Sequence, residues 1–295
     1  MRSSFLFRFL SLCGQVCLAA LVAAAMIASG CGTARVTASQ DVATRTPRSE
    51  AVPTTHGAGA GLNPGADGAV FRTVRPIPEA LHALDPGSGV RASLSPWLEF
   101  APIGRPPAAG LVLYPGARID VRAYAPPARA LAEAGYLVAV PAMPLGMAFL
   151  DIGAARKVMA AHPDIRAWAV GGHSLGGVAA ARFAAGRPAP VAGLVLWASY
   201  PDSLTDLSRS KLVAASIFGT HDGRTRPETV AATAHLLPPA TRLVELAGAN
   251  HAQFGWYGDQ EGDRLAVVSR EEQTRQVVSA TADLLSRLGS AVFAR

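Results

Sequence analysis
From about Val70 onward, apolar residues come in short unbroken runs separated by stretches of helical period. Such runs fit strands buried on both faces, the arrangement of a parallel sheet covered by helices. Val90–Leu94 and Trp97–Ala101 precede the alternation and read as an antiparallel pair. The strands that follow are Leu111–Tyr114, ending at Pro115-Gly116, then Leu137–Val140, cut by Pro141, and Ala167–Val170. Val191–Trp197, Leu212–Phe218 and Arg242–Leu246 complete the set. Helices are expected over Val121–Ala134 (closed by Gly135), Gly146–Ala161, Val178–Ala185 and Pro227–Leu236. A last helix opens with Ser269-x-x-Glu272, a capping-box pattern, and runs to about Leu288. The prediction is an α/β domain over residues 69–295, with a mostly parallel central sheet and helices on both faces. In sheets of this kind ligands bind beyond the carboxyl ends of the strands.

The N-terminal part follows a different pattern. Arg2 and Arg8 lead into a mostly apolar run from Phe9 to Ile27, which ends in Ala28-Ser29-Gly30-Cys31. A basic start, an apolar stretch and small residues describe a secretory signal over residues 1–30. Small residues directly before a cysteine resemble a bacterial lipobox, with Ala28 where that motif usually has leucine. The resemblance implies cleavage before Cys31, a diacylglyceryl thioether on its sulfur, and an exported lipoprotein on the bacterial cell membrane, facing the envelope. An ordinary signal peptide and an uncleaved anchor helix are the competing readings. Residues 31–68 are rich in Thr, Ala, Ser, Arg, Gly and Pro without apolar periodicity, as in a disordered tether.

Composition sharpens this picture. All three cysteines, Cys13, Cys17 and Cys31, precede the domain, so it has no disulfides and no metal-binding thiols. An exported chain with one unpaired cysteine carries a reactive thiol, and lipidation removes it. With 295 residues, 50% hydrophobic and 16% charged, the chain can bury one wide sheet. Its formal charge of +6 falls by two, to +4, without Arg2 and Arg8. The other arginines are scattered rather than interleaved with aromatics, so no nucleic-acid partner is expected.

The chemistry concentrates at strand ends. Gly172-His173-Ser174-Leu175-Gly176 lies between an apolar run and a helical pattern, the setting of a nucleophile elbow. A serine hydroxyl needs a base to take its proton, and the base needs a carboxylate to orient it. The run ending at Phe218 is followed by Gly219-Thr220-His221-Asp222-Gly223, and the run ending at Leu246 by Ala247-Gly248-Ala249-Asn250-His251. Ser174, Asp222 and His251 therefore leave the same sheet edge, in the order Ser, Asp, His. Asp202, past an earlier strand, is a rival acid, and Asp222 before Gly223 also suits a plain turn. His173 is expected to pack beneath the elbow. His56, His82, His162 and His235 are expected in solvent. Met143, Met147 and Phe149 suit either a pocket or the core, and Trp197, Tyr200, Phe254, Trp256 and Tyr257 flank the expected site.

From Trp97 to Leu288 the chain resembles a serine-dependent α/β-hydrolase of the compact group related to dienelactone hydrolases. Dienelactone hydrolases proper carry cysteine where this chain has Ser174, so their lactone substrate does not carry over. The resemblance implies an oxyanion hole made by the Leu175 N–H and a second amide after the strand Leu111–Tyr114. Pro115 has no N–H, so Gly116 or Ala117 must serve, and Ala117 is chosen by position. The stretch between Ser174 and Asp222 is too short for a large cap domain. The expectation is an open site that hydrolyses carboxylic esters of small or medium acyl groups through an acyl-enzyme, without cofactor or metal. An acyltransferase with the same triad and a non-catalytic envelope lipoprotein built on the fold are the alternatives.

Overall fold
The computed structural model describes residues 62–64, 70–87, 89–186 and 188–293. The leader, Cys31 and most of the tether expected from the sequence lie outside these residues. Ten strands are present among the described residues. β1 (Leu62–Pro64) and β2 (Val70–Arg72) form a separate antiparallel pair. The other eight are β3 (Val90–Ser93), β4 (Leu98–Pro102), β5 (Gly110–Tyr114), β6 (Leu137–Val140), β7 (Trp168–His173), β8 (Val191–Trp197), β9 (Val213–Gly219) and β10 (Arg242–Leu246). They form one sheet in the order β10-β9-β8-β7-β5-β6-β4-β3. β5 to β10 run parallel, and β3 and β4 join as the expected antiparallel pair.

All residues of β5, β6 and β7 are buried, so alternate side chains feed two cores. Leu111 and Leu113 point to one face, where α2 (Ala125–Glu133) contributes Ala128 and Leu131, and α6 (Arg270–Phe293) contributes Val277 and Leu285. Val112 and Tyr114 point to the other, beneath α3 (Ala154–Ala161) and α4 (Leu175–Ala185). Two shorter helices, Pro78–Leu81 and Pro227–Thr233, lie outside these layers. No helix separates β8 from β9, so no cap is inserted there.

Helix boundaries depart from the sequence reading where tertiary contacts override propensity. The expected helix Gly146–Ala161 is two 3₁₀ turns followed by α3. Leu145 adopts φ 51° and Gly146 φ 69°, and the Gly146 carbonyl accepts from Arg118 N–H at 2.8 Å. This reversed turn cannot seed a helix, so α3 starts only after Gly153. Upstream of α2, Val121–Tyr124 is a 3₁₀ turn capped by Asp120, because Pro126 and Pro127 supply no N–H. The last helix begins as expected: Glu272 N–H donates to Ser269 Oγ at 3.1 Å. The Glu272 carboxylate instead pairs with Arg275 and Gln276, so only half of the capping box forms.

Candidate active site
Strand register puts Gly172 beside Tyr114, His173 beside Trp197 and Leu246 beside Gly219, aligning the strand ends on one edge. Between β7 and α4, Ser174 alone makes the turn, with φ 53° and ψ −126°. A non-glycine residue in this region carries about 1–3 kcal/mol of strain, so its surroundings must hold it there. Ser174 N–H donates to the Trp197 carbonyl at 3.0 Å, and Ser199 Oγ donates to the Ser174 carbonyl at 2.7 Å. A Cβ on Gly172 would strike the Gly176 backbone, and one on Gly176 would strike the carbonyls of Tyr114 and Pro115. The two glycines thus let the turn close and press the β5 end loop against it.

The candidate acid and base meet. His251 Nδ1 lies 2.9 Å from Asp222 Oδ2, and both side chains are essentially excluded from solvent. Asp222 Oδ1 accepts from Arg224 N–H at 2.8 Å and Thr225 N–H at 2.6 Å, so the carboxylate is fixed by its own loop. A carboxylate so occupied accepts the Nδ1 proton and leaves His251 Nε2 with a free lone pair. That Nε2 is buried and has no hydrogen-bond partner, and Ser174 Oγ has none among the described residues. The His251 loop is tied to α6: Gln273 Nε2 donates to the Asn250 carbonyl at 2.9 Å, and Asn250 N–H donates back to Gln273 Oε1 at 3.1 Å.

The loop after β5 offers one free amide among the described residues. Gly116 N–H donates to Tyr124 Oη at 2.8 Å, which leaves Ala117 as the amide without an acceptor. Leu175 N–H, first in α4, is likewise unpaired among the described residues. Tyr124 Oη already accepts from Gly116, so its hydrogen goes to His173 Nδ1 at 2.9 Å. His173 therefore carries its proton on Nε2, which has no partner at hydrogen-bond geometry. Burial drives the His173 pKa well below its ordinary value, the nearby His251 adds to the shift, and the His251 main chain opposes it. The two rings are 4.6 Å apart, so a neutral His173 keeps a second cation away from His251.

The remaining candidates sort cleanly. Asp202 is engaged elsewhere, with Arg182 Nε at 2.5 Å and Thr205 Oγ1 at 2.7 Å. His221 Nδ1 donates to the Leu265 carbonyl at 3.0 Å, away from the elbow. Trp197 is core, its Nε1 donating to Thr281, while Phe254 and Tyr257 pack around the buried His173. Tyr200 and Trp256 stay half-buried. Met143 joins the core beneath α4, and Phe149 lies under the Arg182 guanidinium. His162 is not in solvent as expected: half-buried, it pairs with Glu99 Oε2 at 2.8 Å. His82 and His235 are exposed, and His56 lies outside the described residues. Tyr124, Ser199 and Gln273 were not read from the sequence, since each serves a distant main-chain group. No group of three or more His, Cys, Asp or Glu among the described residues is arranged to hold a metal.

Residues 110–275, more than half of the chain, match the alpha/beta hydrolase family. No curated protein matches. Among solved structures, the chain is similar to a protein described as a predicted CIB-like hydrolase from Thermoplasma acidophilum. The two share 15% identity and a TM-score of 0.51, over 67% of this chain and 100% of that one. A second similarity is to the esterase domain of a Rhodothermus marinus protein, at 16% identity and a TM-score of 0.49, over 65% of this chain and 93% of that one. The sheet order, the helices on both faces and the family match agree: the chain belongs to the alpha/beta hydrolase family.

Proposed function
We propose that this protein is a serine esterase that cleaves carboxylic esters of small or medium acyl groups. The observation that carries the reading is the buried His251, held by Asp222 at 2.9 Å with its Nε2 unpartnered, on the same edge as the strained Ser174. Nε2 takes the Ser174 proton as Oγ attacks the ester carbonyl. The Leu175 and Ala117 amides bind the developing oxyanion, each worth about 3 kcal/mol in such sites. His251 returns the proton to the leaving alcohol, and the cycle repeats with water to free the acid. No helix lies between β8 and β9 to form a cap there, which suits small or medium soluble esters.

The test is labelling with a fluorophosphonate probe beside turnover of p-nitrophenyl esters of increasing chain length. The parent should label and turn over the shorter esters. Ser174→Ala should lose the label, and kcat should fall on the order of 10⁴-fold or more in both Ser174→Ala and His251→Ala. A folded parent that takes no label and cleaves no ester would make the fold a binding scaffold. The same reading has the chain exported and anchored through a lipidated Cys31, with the tether of residues 31–68 carrying the enzyme off the membrane.

A further inference from the structure
The residues after Asp222 and after His251 share one partner. Gly223 N–H donates to Asp263 Oδ1 at 2.9 Å, and Ala252 N–H donates to Asp263 Oδ2 at 2.9 Å. One carboxylate thus joins the loop that carries the acid to the loop that carries the base. Its segment is lashed to both loops. Asn250 Nδ2 donates to the Arg264 carbonyl at 2.8 Å and Arg224 Nη1 to the Glu261 carbonyl at 2.7 Å. His221 Nδ1 donates to the Leu265 carbonyl at 3.0 Å. The packing leaves no slack: a Cβ on Gly223 would meet the Gly262 carbonyl at 2.5 Å and Asp263 Cα at 3.0 Å.

We infer that Asp263 is a positioning residue that sets the Asp222–His251 geometry. The inference rests on the esterase reading above but adds a residue outside the triad and the oxyanion hole. The chemistry selects aspartate. Two main-chain N–H groups approach two oxygens of one side chain, and a short carboxylate offers two acceptors and no donor. Asparagine has the same shape but turns its NH₂ hydrogens toward one of the two amides. One loop then loses its anchor and meets a like dipole, and His251 shifts relative to Asp222 and Ser174. Sub-ångström placement of this kind governs rate more than binding, because the near-attack geometry is populated less often.

The experiment compares the full-length parent with Asp263→Asn and Asp263→Glu. It measures p-nitrophenyl butyrate kinetics, the fluorophosphonate labelling rate and the melting temperature, with rates taken well below each melting point. Asp263→Asn should lower kcat and the labelling rate about tenfold to a hundredfold, with KM within about twofold of the parent. Asp263→Glu keeps both acceptors and should recover part of the loss. If Asp263→Asn does not fold, Asp263→Ser, which keeps one acceptor and adds no opposing amide, carries the same expectation. A folded Asn or Ser variant with parental kcat overturns the assignment, as does a defect confined to melting temperature or to KM. A parent that neither labels nor turns over ester sinks the triad reading and this assignment with it. A labelled parent beside a parent-like Asp263→Asn sinks this assignment alone.

Discussion
At Tyr124 one hydroxyl serves two partners, accepting from Gly116 N–H and donating to His173 Nδ1. The arrangement holds only while His173 is neutral, and its burial keeps it so by driving the pKa well below 6.5. The unfolded chain takes up this proton near the ordinary value while the folded chain does not. The unfolded state therefore binds more protons as pH falls below 6.5, and stability declines on acidification. The one-proton limit is about 1.4 kcal/mol per pH unit. His173→Asn keeps an acceptor toward Tyr124 and cannot protonate in this range. Its melting temperature should fall less steeply than the parent's between pH 6.5 and about pH 5. Parallel curves would assign the acid sensitivity to other groups. That Ser174, Asp222 and His251 sit on one sheet edge was legible in the sequence, because each lies in the loop or turn that follows a strand-like apolar run. Tyr124, Asp263 and Gln273 were not: their partners, main-chain groups and for Tyr124 also the His173 ring, come from other segments that only chain closure brings to them.

The strands were more legible than the helices. β6 and β8 end where the apolar runs end, because a strand buried on both faces tolerates no polar interruption, while β10, a mostly exposed edge strand, ends where its run meets the Ala247-Gly248 turn. The stretch 146–161 satisfied a helical period, yet its start is committed to the loop after β5 through Arg118 and Gly146. Backbone strain follows the same division. Among the described residues, the non-glycine positions with positive φ are Arg118, Leu145, Ser174 and Ala198. They follow β5, β6, β7 and β8 respectively, on the edge that carries Ser174, Asp222 and His251. The rest of the fold sustains this strain, and the elbow depends on it most. Gly176→Ala should drive a methyl into the Tyr114 and Pro115 carbonyls, costing about 1–3 kcal/mol or more, and should abolish fluorophosphonate labelling. Gly153→Ala is the control, since its Cβ would meet only Asp151 Oδ1 at 3.8 Å and its φ of −76° suits alanine. That change should shift stability by less than about 1 kcal/mol, because the unfolded-state gain of alanine is opposed by its poorer fit at a helix N-cap. Equal losses in the two variants, read by thermal melting, would contradict the steric account of the elbow.

For the whole molecule, the proposed membrane anchor rests on thiol placement. The domain contains no cysteine, and the residue that ends the apolar leader is Cys31. No helix among the described residues is long and apolar enough to cross a membrane. A single acyl chain binds membranes marginally, whereas two on one residue hold stably. A diacylated Cys31 would thus suffice without a spanning helix, and the net charge of +4 without the leader's two arginines would add little by comparison. Cys31→Ala should accumulate at precursor size or move from the detergent phase to the aqueous phase in a phase-separation assay. Fluorophosphonate labelling should be unchanged, because Cys31 lies far in sequence from the Ser174–His251 stretch that carries the proposed chemistry. If neither size nor partition changes, the anchor is not lipid on Cys31, and an uncleaved apolar leader becomes the explanation for any membrane association.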